Sequence, residues 1–543
     1  MVAEEFDYII VGAGSAGCIL AARLSEDPRN RVLLLEAGGS DRRFWIRTPA
    51  GYGFTFADPR VNWKFTAAPD PGLNGRSAYW PRGKVIGGSG SINAMAYMQG
   101  LPVDFDGWEQ AGAAGWGWST VRQVFDRLES HSEYDAQGRP VLRGSGPLRV
   151  SDLRLRMHPF SSRFLTAAQQ AGWPLTEAPN RAEQAGIGYY RSNVKGGVRW
   201  SSADAFLRPA LRRANLKLVT GALVERVKLD GRRARGVCYR TSAGTAAATA
   251  RREVILCAGA VKSPQILQQS GIGPGDVLRA AGVAVRHALG EVGRGLQDHL
   301  AVTYQFGATG PTLNAQFGRL SGQLLAGGRY LASRRGPLSV PVNQVGGLVR
   351  SQAGLAHPDM QIFCNPITYS ARPDGTAQVD RQPGFTLSAQ PCRPSSRGEV
   401  RITSADPAAP PLIQPNSLST EHDRAEAVRA VRMIQQLART AELQAAAAPE
   451  RLPTVLRMDR DEDLLQSYRE TASTDFHPCC TCRMGRDAAG SVLDSRLRVH
   501  GLDGLRVADA SAFPNVTSAN TNAPVMMLAA RAADLILEDA ASG

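Results

Sequence analysis

The chain has 543 residues, of which 43 % are hydrophobic and 21 % are charged. That length exceeds what one ordinary hydrophobic core supports, so we expect two domains, and the lack of a fixed-period repeat argues against a solenoid or a propeller. The formal net charge is +14, but the basic residues are scattered and form no stripe with interleaved aromatics. This pattern argues against nucleic-acid binding and is compatible with attraction to an anionic membrane surface.

Eight cysteines are spread along the chain, several of them inside apolar runs, as is typical of reduced thiols in a cytosolic protein. The residues before Phe6 do not form the charged start and apolar segment of a signal peptide. No apolar stretch reaches the roughly 20 residues that a membrane-spanning helix needs. We therefore predict a cytoplasmic protein, either free or peripheral on the inner face of the membrane.

The amino terminus carries a dinucleotide-binding pattern. A strand of apolar residues ends at Val11, the run Gly12-Ala-Gly14-Ser-Ala-Gly17 follows at once, and helical spacing continues to Leu24. In this context Gly12 permits a tight turn, Gly14 lets the backbone approach a pyrophosphate, and Gly17 lets the helix pack on the strand. The amino terminus of the helix, at Ser15 and Ala16, offers free N–H groups to phosphates.

A second predicted strand, Arg31–Glu36, ends in an acid followed by Ala37, roughly 20 residues after the glycines. A carboxylate at this position can accept hydrogen bonds from an adenosine ribose and would repel a 2′-phosphate. The alternative is a glycine-rich turn with no ligand. The glycine pattern alone does not distinguish FAD from NAD.

The run Trp80–Gly100 contains three glycines and two serines within the five residues from Gly87 to Ser91. Such a backbone can wrap a large planar ligand and form hydrogen bonds with its edge. A flexible surface loop is the alternative, and the bulky apolar residues on both sides argue against it.

The rest of the chain gives a series of predicted elements. Their ranges are a helix at Ser119–Leu128, a hairpin at Pro140–Val150, a helix at Ser201–Ala214, strands at Leu216–Val219, Leu223–Leu229 and Arg252–Gly259, a hairpin turn at Arg232–Arg235, strands of a second sheet at Gly384–Gln390 and Gly398–Thr403, a helix at Glu421–Ala441, a strand at Leu505–Asp509 and a helix at Val525–Glu538. After the strand at Arg252–Gly259, Ser263 is predicted to cap a helix that has Pro264 at its first position. The nucleotide-binding sheet thus resumes well after its first two strands, which predicts a discontinuous domain.

The run Asp475–Gly485 combines His477 with three neighbouring cysteines, Cys479, Cys480 and Cys482. A zinc site is one interpretation, but zinc ligands are usually paired two to four residues apart and need a second pair, which the sequence lacks. His477 could also be a buried histidine that bonds the backbone.

Four motifs in this order resemble the glucose–methanol–choline (GMC) flavoprotein oxidoreductase family. Trp80–Gly100 is similar to the first signature as it occurs in bacterial choline-dehydrogenase-like members, and Gly259–Gly273 resembles the second signature. Asp475–Gly485 and Thr517–Pro524 resemble two motifs near the carboxy terminus. The resemblance extends from about residue 6 to about residue 538 and implies FAD rather than NAD.

The resemblance also implies an α/β plus α+β fold, in which a Rossmann-like FAD domain (residues 1–150, 201–300 and 471–543) is interleaved with an antiparallel-sheet substrate domain (151–200 and 301–470). Some relatives bond the flavin covalently through a histidine just before the asparagine that matches Asn93; here that residue is Ile92, so we predict non-covalent FAD. Relatives often have glycine at the position of Cys480.

Together the glycine pattern and the resemblance give a set of cofactor-binding residues. They are Gly12, Gly14, Ser15, Ala16, Gly17, Glu36, Ala37, Arg82, Gly83, Gly87, Gly88, Ser91, Asn93, Ala94, Met95, Ala96, Val224, Ala258, Gly259, Asp509, Ala510, Asn520, Thr521 and Asn522. Val224 corresponds to a position whose backbone holds the adenine in relatives. The resemblance implies that Asp298 and His299 shape the fold rather than carry chemistry.

The resemblance places His477 on the family's catalytic histidine and Asn520 on its partner. The implied reaction is oxidation of a primary alcohol to an aldehyde: His477 accepts the hydroxyl proton, Asn520 positions the oxygen, and a hydride passes to flavin N5. A quinone, an electron carrier or, in an oxidase of aryl, furanic or aliphatic alcohols, oxygen would then accept the electrons. A flavin lyase or an inactive flavin-fold protein is the remaining alternative, and the presence of both polar residues argues against it.

The substrate stays open at this level. Candidates for the pocket wall are Phe306, Phe317, Tyr330, Phe363, Tyr369 and Phe385, with ordinary core packing the favoured interpretation of each.

Overall fold

The computed structural model describes residues 4–135, 137–182, 185–371 and 377–542. The strands of the two large sheets are, in chain order, β1 Glu4–Val11, β2 Val32–Glu36, β3 Gly186–Tyr189, β4 Leu216–Thr220, β5 Leu223–Asp230, β6 Arg233–Thr241, β7 Gly244–Leu256, β8 Leu300–Gly307, β9 Val345–Val349, β10 Met360–Asn365, β11 Gly384–Pro391, β12 Ser473–Thr474 and β13 Leu505–Val507. The longer helices are α1 Ser15–Leu24, α2 Pro102–Gln110, α3 Trp118–Leu128, α4 Phe160–Gln170, α5 Gly259–Gln269, α6 Leu320–Ser333, α7 Glu421–Ala438, α8 Asp461–Thr471 and α9 Asn522–Ser542.

Shorter elements connect these. Small sheets and ribbons are formed by Phe65–Thr66 with Tyr79–Trp80, by Glu129–Tyr134, Pro140–Arg143, Leu148–Asp152 and Arg191–Ser192, by Val194–Lys195 with Val198–Arg199, by Ile272–Gly273 with His287–Ala288, by Arg294–Leu296, Gly398–Arg401 and Leu412–Gln414, and by Tyr369–Ala371 with Ala377–Val379. Short helical segments lie at Phe44–Arg47, Pro49–Gly51, Tyr52–Thr55, Pro71–Leu73, Gly88–Ser91, Arg154–Arg156, Ala203–Leu207, Arg208–Ala210, Gly275–Ala280, Asn314–Phe317, Pro337–Ser339, Ala441–Ala446, Pro449–Arg451, Thr454–Arg457 and Ala510–Ala512.

The first large sheet has the strand order β4-β2-β1-β7-β6-β5, and β13 also pairs with β7. β1 pairs in parallel with β2 and β7, β2 pairs in parallel with β4, and β7 pairs in parallel with β13. Strands β5, β6 and β7 form an antiparallel meander. Continuous apolar runs such as Ile9-Ile10 and Leu33-Leu34 are fully buried, as is typical of the strands of a parallel sheet. This sheet is the dinucleotide-binding core that the sequence predicts.

The second large sheet is antiparallel, with the order β12-β8-β11-β10-β9-β3. Successive residues of a strand point to opposite faces. Ile362 and Cys364 of β10 therefore pack into a hydrophobic core with α4, α7 and α8, while Phe363 and Asn365 face a large cavity. One face of the sheet is thus core, and the other is a wall of the cavity.

The predicted fold class is confirmed: a parallel-type nucleotide sheet and an antiparallel sheet are each assembled from separated parts of the chain. The first sheet takes its strands from residues 4–256 and 505–507, and the second from 186–189, 300–391 and 473–474. The domain boundaries at residues 150, 200, 300 and 470 stay a prediction.

The predicted helix start at Ser263-Pro264 is wrong. Helix α5 begins at Gly259 and contains Pro264 in its interior. The Ala260 carbonyl, which would accept from an N–H at position 264, instead accepts a hydrogen bond from the Thr481 hydroxyl at 2.7 Å. The proline therefore leaves no helix carbonyl unsatisfied.

Three other local predictions need correction. Residues 201–214 are helical only as far as Ala210, as a π-helical turn at Ala203–Leu207 and a short helix at Arg208–Ala210, and Pro209 has no N–H for an α-helical bond to the carbonyl of residue 205. The segments at 140–143 and 148–152 do not pair with each other; they lie on opposite sides of Glu129–Tyr134. Gly398–Arg401 belongs to a separate three-stranded sheet rather than to the sheet of β11.

Candidate active site

A cavity of about 1680 Å³ lies between the two large sheets. It begins at the carboxyl ends of β1 and β7, where the order of the parallel strands reverses, which is the usual ligand crevice of such sheets. Pockets for drug-sized ligands typically measure about 300–1,000 Å³, so this cavity can hold a considerably larger molecule.

Most of the predicted cofactor-binding residues line this one cavity, together with His477. They are Gly12, Gly14, Ser15, Ala16, Glu36, Ala37, Arg82, Gly83, Gly88, Asn93, Ala94, Met95, Ala96, Val224, Ala258, Gly259, Asp509, Ala510, Asn520, Thr521 and Asn522. Gly17, Gly87 and Ser91 lie behind the wall: a Cβ on Gly17 would be 1.9 Å from the Gly12 carbonyl oxygen, and the Ser91 hydroxyl donates to the Ile86 carbonyl at 2.7 Å. These three shape the loops instead of facing the cavity.

The glycine loop has the backbone that close approach to a phosphate requires. Gly12 has a φ of +100°, and a Cβ there would lie 2.6 Å from the Cys257 carbonyl oxygen. Helix α1 follows with Gly14 as its N-cap and no side chain capping it, so its first N–H groups point into the cavity without a side-chain acceptor. Gly88 (φ +55°) packs directly on Gly14, where a Cβ would be 2.7 Å from the Gly14 Cα.

We expect Gly88→Ala to reduce the FAD content and the melting temperature of the protein, since an L residue in the left-handed region costs about 1–2 kcal/mol and its methyl group would also displace Gly14. Gly39→Ala is the matched control, because no atom lies within 4 Å of a Cβ at that exposed position. The flavin absorbance per protein after purification measures the effect, and equal FAD content in the two variants would contradict this role of Gly88.

Glu36 lies at the end of β2, as predicted. Its two carboxylate oxygens accept hydrogen bonds of 2.8 Å from the Ala13 and Gly38 N–H groups. Burial raises the pKa of Glu36 to about 7. Each oxygen keeps a free lone pair, and the side chain lines the cavity, so it can also accept from a ligand hydroxyl.

The amino terminus of α9 meets that of α1 at the cavity. The Ser15 hydroxyl donates to the Asn522 side-chain oxygen at 2.7 Å. Two positive helix-dipole ends therefore point at the same region, which favours an anionic ligand. Asp509 has a different role: its carboxylate accepts from Gly259 N–H and from the Ser263 and Ser511 side chains, so it braces the loops around the cavity.

His477 lies on the cavity wall, 8 % exposed. Its backbone N–H donates to the Asp298 carboxylate at 2.7 Å, and the preceding residue, Phe476, has a φ of +65° and accepts from the Arg82 guanidinium at 2.7 Å. Burial raises the pKa of Asp298 to about 7 and lowers that of Arg82 to about 10. These contacts fix the backbone from which the imidazole projects.

The hydrogen bonds around His477 determine its tautomer. His299 Nε2 lies 2.9 Å from the Cys392 carbonyl oxygen, which can only accept, so His299 carries its proton on Nε2. Burial lowers the pKa of His299 to about 4, so its Nδ1 is an unprotonated acceptor near neutral pH. That Nδ1 lies 2.9 Å from His477 Nδ1, which must therefore be the donor. His477 Nε2 is left without a proton.

Asn520 lies on the other side of His477. Its side-chain nitrogen is 3.1 Å from His477 Nε2, and its oxygen accepts from the Gln361 side-chain nitrogen at 3.2 Å. The Gln390 amide in turn donates to Gln361 at 2.9 Å. This chain of amides fixes which way the Asn520 carboxamide points. The structure thus brings together two residues that are 43 positions apart in the sequence.

Burial, with His299 and Arg82 close by, lowers the pKa of His477 well below its ordinary value of 6.5. The imidazole is consequently neutral near pH 7 and presents a lone pair rather than a proton to the cavity. A neutral, oriented imidazole of this kind can accept a proton from a ligand hydroxyl.

The chain around His477 is closely packed. Cys480 has a φ of +71°, a conformation that favours the glycine which relatives often have at this position. Cys479, Cys480 and Cys482 are buried thiols, and burial raises the pKa of Cys479 and Cys482 well above the ordinary value. Within the described residues, no group of three or more His, Cys, Asp or Glu side chains could hold a metal ion.

Two family models, both described as GMC oxidoreductase, match residues 6–301 and 394–529. The chain belongs to the GMC oxidoreductase family. It is 40 % identical to the mitochondrial choline dehydrogenase of Homo sapiens, over 98 % of this chain and 90 % of that protein, and 39 % identical to an alcohol dehydrogenase [acceptor] of Pseudomonas putida, over 98 % and 96 %. Its structure is similar to that of pyridoxine 4-oxidase from Mesorbium loti, with a TM-score of 0.86 and 32 % identity over 97 % of this chain and 98 % of that one.

Membership of the GMC family confirms the predictions of an oxidoreductase acting on CH–OH donors and of FAD as its cofactor. The residues present fit that group: a glycine cradle that added Cβ atoms would fill, two helix amino termini for the pyrophosphate, and a carboxylate for the ribose all face the cavity. Among the described residues, no helix combines the length and the apolar character needed to cross a membrane.

His299 is the residue whose importance the sequence did not reveal. The prediction that Asp298 and His299 shape the fold rather than carry chemistry stays a prediction. The structure adds that Asp298 holds the backbone of His477 and that His299 contacts its ring. The sequence signal that could have indicated this is an Asp-His pair at the start of β8, the strand beside the one that leads to His477.

The predicted aromatic candidates divide into two groups. Phe317, Phe363 and Tyr369 line the cavity. Phe306 and Phe385 stack on each other in the core of the second sheet, with ring centroids 5.0 Å apart, and Tyr330 is a buried residue of α6 that packs against Leu338. Tyr52, Phe56 and Asp475 also line the cavity and were not predicted.

Proposed function

We propose that this GMC oxidoreductase oxidises a primary alcohol to an aldehyde, with His477 and Asn520 as the residues that bind the reacting hydroxyl. The observation that supports this most strongly is the bare Nε2 of His477, held beside the Asn520 amide on the wall of the cavity. Bound FAD supplies a two-electron acceptor that takes the carbinol hydride.

The protein residues have separate tasks in this proposal. His477 Nε2 accepts the hydroxyl proton, which increases the hydride-donating character of the carbinol carbon. The Asn520 side-chain nitrogen donates to the alcohol oxygen and fixes its position. His299 accepts from His477 Nδ1 and is a positioning residue, because it keeps the proton away from Nε2.

The test is an anaerobic screen of alcohols with the FAD-loaded protein, followed by the flavin absorbance. We expect at least one primary alcohol to bleach the flavin and the corresponding aldehyde to form in equal amount. A panel of choline, aliphatic, aromatic and furanic alcohols that leaves the spectrum unchanged would contradict the proposal.

We expect the FAD to be bound without a covalent link. Ile92 lines the cavity at the position where some relatives have a histidine, and an alkyl side chain cannot form that bond. Precipitation with acid should therefore release all of the yellow colour into the supernatant. Colour that stays with the washed precipitate would show that another residue forms the link.

Asp475 offers a way to distinguish cationic from neutral substrates. Its carboxyl group lines the cavity, and burial with Asp298 close by raises its pKa to about 8. The group becomes negatively charged as the pH rises through that value, so the KM for a cationic alcohol such as choline should fall between about pH 7 and about pH 9. The KM of a neutral alcohol of similar size should not fall, and Asp475→Asn should abolish the difference.

The electron acceptor of the reduced enzyme is a quinone, another carrier or oxygen. Similarity to two dehydrogenases and to an oxidase supports both kinds of acceptor. Hydrogen peroxide release during aerobic turnover separates an oxidase from a dehydrogenase.

We further propose peripheral association with the inner face of the membrane, and the net positive charge of the chain is the first support for it.

A further inference from the structure

Helix α6 presents an unusual surface to the solvent. Leu320, Leu324, Leu325 and Leu331 are each 63–76 % exposed, while Ala326 and Tyr330 on the opposite side of the helix are buried. We name these four residues the leucine face. The helix contains no acidic residue, and small residues make up most of the rest of its outward side. A continuous apolar helix face of this kind usually marks an interaction site.

An aromatic cluster lies beside the leucine face. Phe44, Trp45 and Phe54 are 37–59 % exposed, and the rings of Trp45 and Phe54 stack with centroids 4.1 Å apart. Phe44 contacts the ring of Tyr330, the buried anchor of α6, at 6.1 Å between centroids. The two groups therefore form one apolar surface built from two distant parts of the sequence.

This apolar surface lies at the opening of the cavity. All three residues of the aromatic cluster line the cavity while being exposed to solvent, and Gln323, Ala326 and Gly327 of α6 line it as well. Whatever binds the surface therefore lies next to the route by which small molecules reach His477.

All charged side chains in the segment of the chain that contains α6 are basic. No Asp or Glu occurs between Asp298 and Asp359. Arg319, Arg329, Arg334 and Arg335 are exposed on and around α6, and none of them is paired with a carboxylate of the described residues. Arg42 and Arg43 directly precede the aromatic cluster.

We propose that the leucine face and the aromatic cluster dock this protein onto an anionic phospholipid bilayer, with the cavity opening toward the membrane. Leucines and aromatic rings enter the boundary between headgroups and acyl chains, while arginines bind lipid phosphates. A second copy of the chain fits less well, because a two-fold contact would place arginines against arginines. Docking goes beyond the proposed alcohol oxidation and does not depend on it; it would give an apolar electron acceptor dissolved in the bilayer direct access to the cavity.

The test is co-sedimentation of the FAD-loaded, full-length protein with two kinds of vesicle: phosphatidylcholine alone, and phosphatidylcholine with phosphatidylglycerol in equal parts. We expect binding to the anionic vesicles that weakens with salt, and at least about tenfold weaker binding to the neutral ones.

Two sets of substitutions locate the surface. The quadruple variant Leu320→Gln, Leu324→Gln, Leu325→Gln and Leu331→Gln should bind anionic vesicles at least about tenfold more weakly. The matched control changes four exposed aliphatic residues elsewhere to glutamine, at Leu142, Leu175, Val285 and Leu452, and should bind as the unchanged protein does. Arg334→Gln with Arg335→Gln should also weaken binding, whereas Arg212→Gln with Arg286→Gln, at two exposed positions elsewhere, should not.

Flavin absorbance and thermal unfolding verify that each variant is folded. The vesicle assay needs no substrate, so its result does not depend on whether the protein oxidises an alcohol. Three results would overturn the proposal: no binding of the unchanged protein to anionic vesicles, equal loss of binding in the leucine variant and its control, or light scattering that shows a dimer which only the leucine-face substitutions dissociate.

Discussion

His477→Ala should slow the reduction of bound FAD by an alcohol by about 10²–10⁴-fold, the usual contribution of a general base. The substitution removes the lone pair on Nε2 and leaves Asn520 without its 3.1 Å neighbour. Stopped-flow bleaching of the flavin under anaerobic conditions measures this rate directly. The apparent affinity for the alcohol should change less than the limiting rate, because the base acts mainly in the transition state.

The matched control is His131→Ala. His131 is also 8 % exposed, but it bonds Glu129 and does not line the cavity. It should leave the rate of flavin reduction unchanged at equal FAD content. If His477→Ala bleached as fast as the unchanged protein, His477 would not be the base.

His299→Leu should slow the same step by roughly 10–100-fold, by analogy with the loss found when the outer hydrogen-bond partner of a metal-bound histidine is removed. Leucine offers no acceptor to His477 Nδ1, so the imidazole can place its proton on Nε2, where it blocks the base. His299→Asn retains an acceptor at the position of the Nδ1 atom and should restore most of the rate.

The pH profile distinguishes this role from simple packing. Burial is the largest cause of the lowered pKa of His477, so the neutral base persists to a pH well below 6.5 in the unchanged protein. Leucine at position 299 leaves the Nδ1–H of His477 without an acceptor, which destabilises the imidazolium further. The acid limb of the flavin-reduction profile should therefore lie at lower pH in His299→Leu than in His299→Asn, which retains an acceptor. Arg82, Asp298 and Asp475 also face His477 and are unchanged in both variants. Equal rates and equal profiles for the leucine and asparagine variants would assign His299 to packing alone.

The sequence predicted the nucleotide-binding sheet well because its signals are local. An apolar strand, a glycine turn and a helix with Glu36 on the next strand lie close together in the chain, and the structure has all of them in place. The convergence of His477 and Asn520 was predicted only through the resemblance to a family. Their spacing of 43 residues contains no periodic pattern that would indicate contact.

What the sequence could not show depends on contacts between distant segments. Pro264 indicates the start of a helix by local rules, but a hydroxyl from Thr481 satisfies the carbonyl that the proline leaves free. The tautomer of His477 depends on a carbonyl at Cys392, 85 residues away. The apolar surface at the cavity opening joins residues near 50 to residues near 325, and each segment alone looks like an ordinary amphipathic stretch.

A crystal structure of the protein with FAD bound tests the central claim most directly. We predict that the adenine half lies toward Val224 with the pyrophosphate at the Gly12–Gly17 loop, and that His477 Nε2 and the Asn520 amide face the same side of the isoalloxazine at its reactive edge. A flavin ring that lies away from His477, or one whose reactive edge is covered by other side chains, would contradict the account.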